Sequence, residues 1–232
     1  MGSDLVLELA TGKVDGYVAL PEASEPRPGV LVFHEIFGLN EDIRRIADRV
    51  ASLGYVAIAP NLMAGGLRCV MAAMRDLRRG RGPLIDAAEA TVAWAKRRPE
   101  VDPDRIGVIG FCMGGGVAFL LGVSGSVKVV APNYGEPPLD RLAESCPVVA
   151  SYGARDRMFA KYADRVEEAL AAAGIPHDVK RYPEAGHSFM NDAEGHRLAK
   201  ALIGRPLMAV GYVPEAAEDA WRRIEAFFSE HL

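Results

Sequence analysis

The amino-acid sequence predicts an α/β fold, a mostly parallel central sheet with helices on both faces. Strand-like and helix-like segments alternate from Pro28 to the last helix. Strands joined through helices run parallel, because each crossover returns the chain to the same end of the sheet. The strands are unbroken apolar runs, such as Pro28-Gly29-Val30-Leu31-Val32-Phe33, as expected where both sheet faces are covered. No linker, repeat or compositional break divides the chain, so 1–232 reads as a single domain with a flap-like insert at about 61–82.

The elements follow in order. Leu5 to Leu9 and Val14 to Leu20 flank the turn Thr11-Gly12-Lys13 and predict an opening hairpin. After the strand ending at Phe33, Asn40 can cap a helix whose apolar positions Ile43, Ile46, Ala47, Val50 and Leu53 recur at helical spacing, and Gly54 ends it. Val56 to Ala59 is a strand stopped by Pro60. Beyond the insert, Pro83 opens a helix to about Arg98, followed by a strand at Arg105 to Ile109 and a small-residue helix at Met113 to Leu121. Val127 to Pro132 and Val148 to Tyr152 are strands, Ala160 to Ala173 a helix closed by Gly174, His177 to Tyr182 a strand, and Pro214 to Phe228 the final helix.

Composition narrows the function classes. Hydrophobic residues make up 50% of the chain and charged residues 25%, ordinary values for a globular protein that exclude a disordered one. A formal net charge of −4 provides no basic footprint for nucleic acid. No apolar stretch approaches a membrane span, and Met1 to Ala10 lack the features of a signal peptide. Cys69, Cys112 and Cys146 have neither a disulfide framework nor zinc-site spacing. The expectation is a cytoplasmic protein with reduced thiols, no metal and no cofactor, monomeric or homodimeric.

One motif carries chemistry. The strand ending at Ile109 runs into Gly110-Phe111-Cys112-Met113-Gly114-Gly115-Gly116 and then a helix. This is a nucleophile elbow with cysteine in place of the usual serine. Glycine two residues before and two after the nucleophile keeps the strained turn clear of its neighbours, and the helix N-terminus favours thiolate. An elbow needs an acid and then a histidine in the loops after later strands. Asp156 follows the strand at Val148 to Tyr152, and His187 follows the strand at His177 to Tyr182. His34, His177, His196 and His231 lie at the wrong ends of elements or outside these loops.

The oxyanion-binding donors are expected to be the backbone N–H of Met113 and that of Ile36, in the loop His34-Glu35-Ile36-Phe37-Gly38. Glu35 is placed to face the site from the end of the third strand. Phe37 and Tyr134 are placed as substrate contacts. The insert carries Arg68, Arg75, Arg78, Arg79 and Arg81 against the single acid Asp76, and Arg75, Arg78 and Arg81 are assigned to an anionic substrate group.

Together, His34-Glu35-Ile36-Phe37-Gly38, Gly110-Phe111-Cys112-Met113-Gly114-Gly115 and Ala185-Gly186-His187-Ser188-Phe189 closely resemble the dienelactone hydrolase family, from the third strand to the final helix. The resemblance implies an α/β-hydrolase fold, Cys112 as nucleophile, His187 as general base and Asp156 as its partner. It implies that Glu35 holds the resting thiol, and that the substrate is a lactone or activated ester. Family members that cleave dienelactone use an arginine shortly after the catalytic histidine, where this chain reads Met190-Asn191-Asp192. The alternatives are a general carboxylesterase or thioesterase, a non-catalytic relative that binds a ligand, and a redox sensor built on Cys112.

Overall fold

The computed structural model describes residues 2–63, 66–192 and 205–232, with backbone only at 66–68 and 205–206. The opening hairpin forms as expected, with β1 (Ser3–Leu9) antiparallel to β2 (Gly12–Ala19). It is followed by β3 (Arg27–Phe33), α1 (Glu41–Ser52), β4 (Val56–Pro60), α2 (Gly66–Arg79) and α3 (Pro83–Ala95). The second half comprises β5 (Val101–Phe111), α4 (Met113–Val123), β6 (Val129–Asn133), β7 (Val148–Gly153), α5 (Tyr162–Ala173) and β8 (His177–Tyr182). A short helix α6 (Arg205–Met208) and the long α7 (Pro214–His231) complete it.

The strands form one eight-stranded sheet in the order β1-β2-β4-β3-β5-β6-β7-β8. From β4 to β8 every pairing is parallel, and only the hairpin edge is antiparallel. The central strands are apolar on both faces because both are covered. On β3, Leu31 and Phe33 pack into the layer formed with α3, α4 and α5, while Val30 and Val32 pack against α1 and α7.

The local signals act where the sequence placed them. Asn40 caps α1, its side-chain oxygen accepting the Ile43 N–H at 3.1 Å, and Gly54 takes a φ of 94° just beyond the helix. Gly174 closes α5 at φ 67°. The insert is more regular than expected, because α2 packs on α3 and α4 through buried Ala73 and a buried Asp76 that accepts the Leu84 N–H. Glu194, which with Asp192 is an alternative acid to Asp156, falls outside the described residues, as do His196 and the side chain of Arg68. Among the described residues no helix is long and apolar enough to cross a membrane.

The sheet order places the site. β3 lies between β4 and β5, so successive connections leave it toward opposite edges. In open α/β sheets a crevice opens at such a switch point, beyond the carboxyl ends of the strands. Phe33 pairs with Gly110 at the ends of β3 and β5, so the chain leaves both strands side by side toward Glu35 and Cys112.

Candidate active site

Cys112 sits between β5 and α4 with φ 54° and ψ −111°, a backbone conformation strained for any residue with a Cβ. The flanking glycines are required by close backbone approach. A Cβ on Gly110 would lie 2.0 Å from the Gly114 carbonyl oxygen, and one on Gly114 would lie 2.2 Å from that of Phe33. The Cys112 N–H donates to the Asn133 carbonyl at 3.0 Å, which ties the elbow to the end of β6. The thiol is partly exposed at the N-terminus of an α4 whose every residue is buried.

His187 reaches this turn from the loop after β8. Its Nδ1 lies 2.6 Å from Asp156 Oδ2, and both residues are buried. The other oxygen of Asp156 accepts the N–H groups of Met158 at 3.0 Å and Phe159 at 3.2 Å, so the loop after β7 orients the carboxylate. The ring of His187 packs between Phe159 and Tyr134, with centroids 4.9 and 5.1 Å away. Its Nε2 is buried without a nitrogen or oxygen partner. Burial opposes the imidazolium, but the charge of an ionised Cys112 and the hydrogen bonds and charge of Asp156 outweigh it, so His187 is pushed up to about 10 once the thiol has given up its proton.

On the other side, the loop after β3 carries Glu35, which is buried and accepts the hydroxyl hydrogen of Ser188, the residue after His187. His34 anchors that loop. Its Nδ1 meets the Glu35 carbonyl at 2.5 Å, and its Nε2 accepts the Leu62 N–H at 3.0 Å, so the ring is neutral with the proton on Nδ1. Burial pulls His34 down to about 4, in keeping with a structural rather than a proton-transferring role. Among the described residues, neither the Met113 N–H, at the first position of α4, nor the Ile36 N–H has an acceptor.

The sequence-assigned residues divide into two groups. Cys112, Asp156, His187, Glu35, Ile36 and Met113 converge at the carboxyl ends of β3, β5, β7 and β8, and Phe37 is half-exposed in the same loop as Glu35. Tyr134 does not fit its assignment as a substrate contact. It has no exposed surface, because its ring fills the space beneath His187 and Phe189 and its hydroxyl donates to Asn191 Oδ1. The arginines lie on α2 and the turn after it. Arg75 faces Asp76 at 3.6 Å, Arg81 is exposed, and Arg78 lines a cleft that includes no triad residue. Cys69 is half-buried with its sulfur 3.7 Å from that of Met63, and burial raises Cys146 to about 12.

Three features of the site escape sequence reasoning. Ser188 lies inside a motif singled out for its histidine, yet it is the hydroxyl that holds Glu35. Asn191 receives Tyr134 and donates to the buried Asp42 on α1 at 2.8 Å. The segment after α6 straps the histidine loop: His187 N–H donates to the Met208 carbonyl at 2.8 Å and Val213 N–H to that of Phe189 at 3.0 Å. A signal does emerge once the backbone is known. Cys112, Tyr134, Ser188 and Ala209 are the described non-glycine residues with positive φ, and all four belong to this site or its strap. Among the described residues, no group of histidine, cysteine, aspartate or glutamate could hold a metal.

Comparison with known proteins identifies the family and the fold. The profile of the dienelactone hydrolase family matches residues 14–232. A Synechocystis protein named "Putative carboxymethylenebutenolidase" is 31% identical, covering 95% of this chain and 93% of its own. The crystal structure of a Klebsiella pneumoniae protein described as a dienelactone hydrolase, also with the qualifier "Putative", superposes with a TM-score of 0.78 at 25% identity, covering 100% of this chain and 99% of that one. The phosphotriesterase P91 from metagenomic libraries, described as dienelactone hydrolase-like, shares the fold with a TM-score of 0.82 at 24% identity, over 99% of this chain and 98% of its own. The fold is that of the α/β-hydrolases.

Proposed function

The chain belongs to the dienelactone hydrolase family and is a hydrolase, and from that premise we propose that it cleaves a lactone or activated ester through a Cys112–His187–Asp156 triad and a thioester acyl-enzyme. One observation carries the reading. His187 is held by buried Asp156 through Nδ1, while its Nε2 has no nitrogen or oxygen partner and Cys112 on the strained elbow is within hydrogen-bonding influence of the ring.

The steps follow from that arrangement. The Cys112 thiol passes its proton to His187 Nε2 and its sulfur adds to the substrate carbonyl carbon. The carbonyl electron pair moves to oxygen, to which the N–H groups of Met113 and Ile36 would donate hydrogen bonds as charge develops. Collapse restores the carbonyl and expels an alkoxide or enolate, which takes the proton from Nε2. Water then adds to the thioester and gives a proton to His187. The C–S bond breaks, the sulfur recovers the proton, and a carboxylic acid leaves. A stabilised enolate is a good leaving group, so an enol-lactone suits a thiolate nucleophile better than an amide does.

Glu35, held by Ser188, is proposed to restrain the thiol at rest. The broader carboxylesterase reading gains from Asn191, which lies just after His187 and is occupied by Tyr134 and Asp42 rather than open to a substrate anion. Turnover of p-nitrophenyl acetate by wild type and Cys112→Ala tests the chemistry, with mass spectrometry of the trapped adduct. The acyl group is expected on the peptide containing Phe111-Cys112-Met113. An adduct on Cys69, or full activity in Cys112→Ala, would overturn the assignment.

A further inference from the structure

A second cleft opens beside the catalytic site. It has a volume of about 330 Å³ and lies between the end of α2, α4, the loop after β6 and α5. Arg78, Arg79, Arg141 and Arg165 line it, against Glu136 and Asp140. Arg141 is committed to Glu144 at 2.9 Å, and Glu136 is occupied by the Tyr162 hydroxyl at 3.1 Å. Among the described residues Arg78, Arg79 and Arg165 have no carboxylate partner. Lys161 adds a further cation 5.1 Å above the Tyr162 ring. Arg78 and Arg165 both act electrostatically on Tyr162, so their charges converge there from opposite walls.

This concentration of cations needs a reason on a chain of net charge −4. Arg78 and Arg79 complement the carboxyl end of α2, which explains their presence on the helix but not a third unpaired guanidinium facing them from α5. Guanidinium groups grouped around a recess are suited to bidentate oxyanion recognition. The remaining walls, Leu77, Leu120, Leu139 and Pro137, are apolar. The recess thus offers cations together with a surface for a short hydrocarbon body, and its volume falls in the range of small-molecule sites.

We propose that this cleft is a binding site, separate from the thiol, for a small amphipathic anion: a phosphate or carboxylate carried on a short apolar body. The site borders the catalytic machinery. Tyr162 packs on Phe159 with centroids 6.0 Å apart, and Phe159 packs on His187 and gives its N–H to Asp156. A ligand drawn to Arg165 and Tyr162 therefore contacts the segment that orients the acid of the triad. The proposal does not rest on the acyl-enzyme chemistry, because binding is measured without a substrate.

Calorimetric titration of the full chain with phenyl phosphate at constant ionic strength is the test, with inorganic phosphate and phenol as comparisons. Saturable binding of phenyl phosphate is expected, about tenfold tighter than inorganic phosphate, with phenol not binding. The double variant Arg79→Gln/Arg165→Gln, two exposed positions outside the catalytic residues, should weaken binding tenfold or more while its circular dichroism is unchanged. Phenyl phosphate should not raise the KM of p-nitrophenyl acetate. The proposal is overturned by no saturable binding in the millimolar range, by equal binding of phenol, by retained affinity in the double variant, or by competition with the ester.

Discussion

At residue scale, the two buried carboxylates of the candidate site, Asp156 and Glu35, differ in their partners. Asp156 is fixed by two backbone N–H groups and faces Nδ1 of His187, so in the proposed mechanism it would hold one tautomer and stabilise the imidazolium. Asp156→Asn should lower kcat by orders of magnitude with the fold intact by circular dichroism. Turnover above about a tenth of wild type would assign the role to another acid, Asp192 being the described candidate. Glu35 instead accepts the Ser188 hydroxyl from the loop after β3, and is proposed to restrain the thiol. Its charge disfavours a neighbouring thiolate, so Glu35→Gln should react faster with iodoacetamide near neutral pH while hydrolysing ester more slowly. A variant alkylated no faster would return Glu35 to a purely structural part.

Among elements, the β3 loop and the β5–α4 turn are built around contacts too close for side chains. A methyl group on Gly114 would meet the carbonyl oxygens of Phe33 at 2.2 Å and His34 at 2.8 Å, both backbone atoms that cannot rotate away. Gly114→Ala should therefore cost about 1–3 kcal/mol or more in urea unfolding and disturb the oxyanion loop as well. His34 clamps the same loop to the exit of β4 as a neutral ring. Its folded-state pKa of about 4 lies below the ordinary 6.5, so its contribution is complete above pH 6.5. It is lost as pH falls toward 4, because the unfolded chain takes up the proton first. The decline in stability between those limits, on the order of 2–3 kcal/mol, should be shallower in His34→Gln.

Across the whole molecule, the catalytic loops are tied to both halves of the chain. Asn191 joins Tyr134, at the end of β6, to Asp42, on the first turn of α1, and Arg45 binds both Asp42 at 3.1 Å and the Asp192 carbonyl at 2.8 Å. The network spans 149 residues of sequence and lies beneath the histidine loop. Asn191→Leu leaves the Tyr134 hydroxyl and one oxygen of Asp42 buried without partners, so a loss of about 2–4 kcal/mol is expected in thermal or urea unfolding. Because the Tyr134 ring supports His187, kcat should fall more than KM rises. A neutral effect on both would show that the loop is held by the strap from Met208 to Val213 alone.

The sequence by itself determined the sheet-and-helix order, the elbow and the order of its partners, because these rest on local rules. Apolar runs of strand length, Asn40 and Gly174 at helix ends, and glycines flanking Cys112 act within a few residues of themselves. The same rules nominated Asp156 and His187, since each had only to follow a strand, and the structure pairs the two at 2.6 Å. Only the tertiary structure decided which polar groups meet. Ser188 and Glu35 are 153 residues apart, and nothing in either neighbourhood marks the pairing. Tyr134 read as a substrate contact, but it has a positive φ of 43° and its ring is buried in the core against His187 and Phe189. The arginines of the insert read as one flap over the thiol, whereas Arg75 faces Asp76, and Arg78 and Arg79 join Arg165 from α5 at a separate cleft. Such pairings depend on how the sheet brings distant loops together, and a linear pattern does not contain that distance.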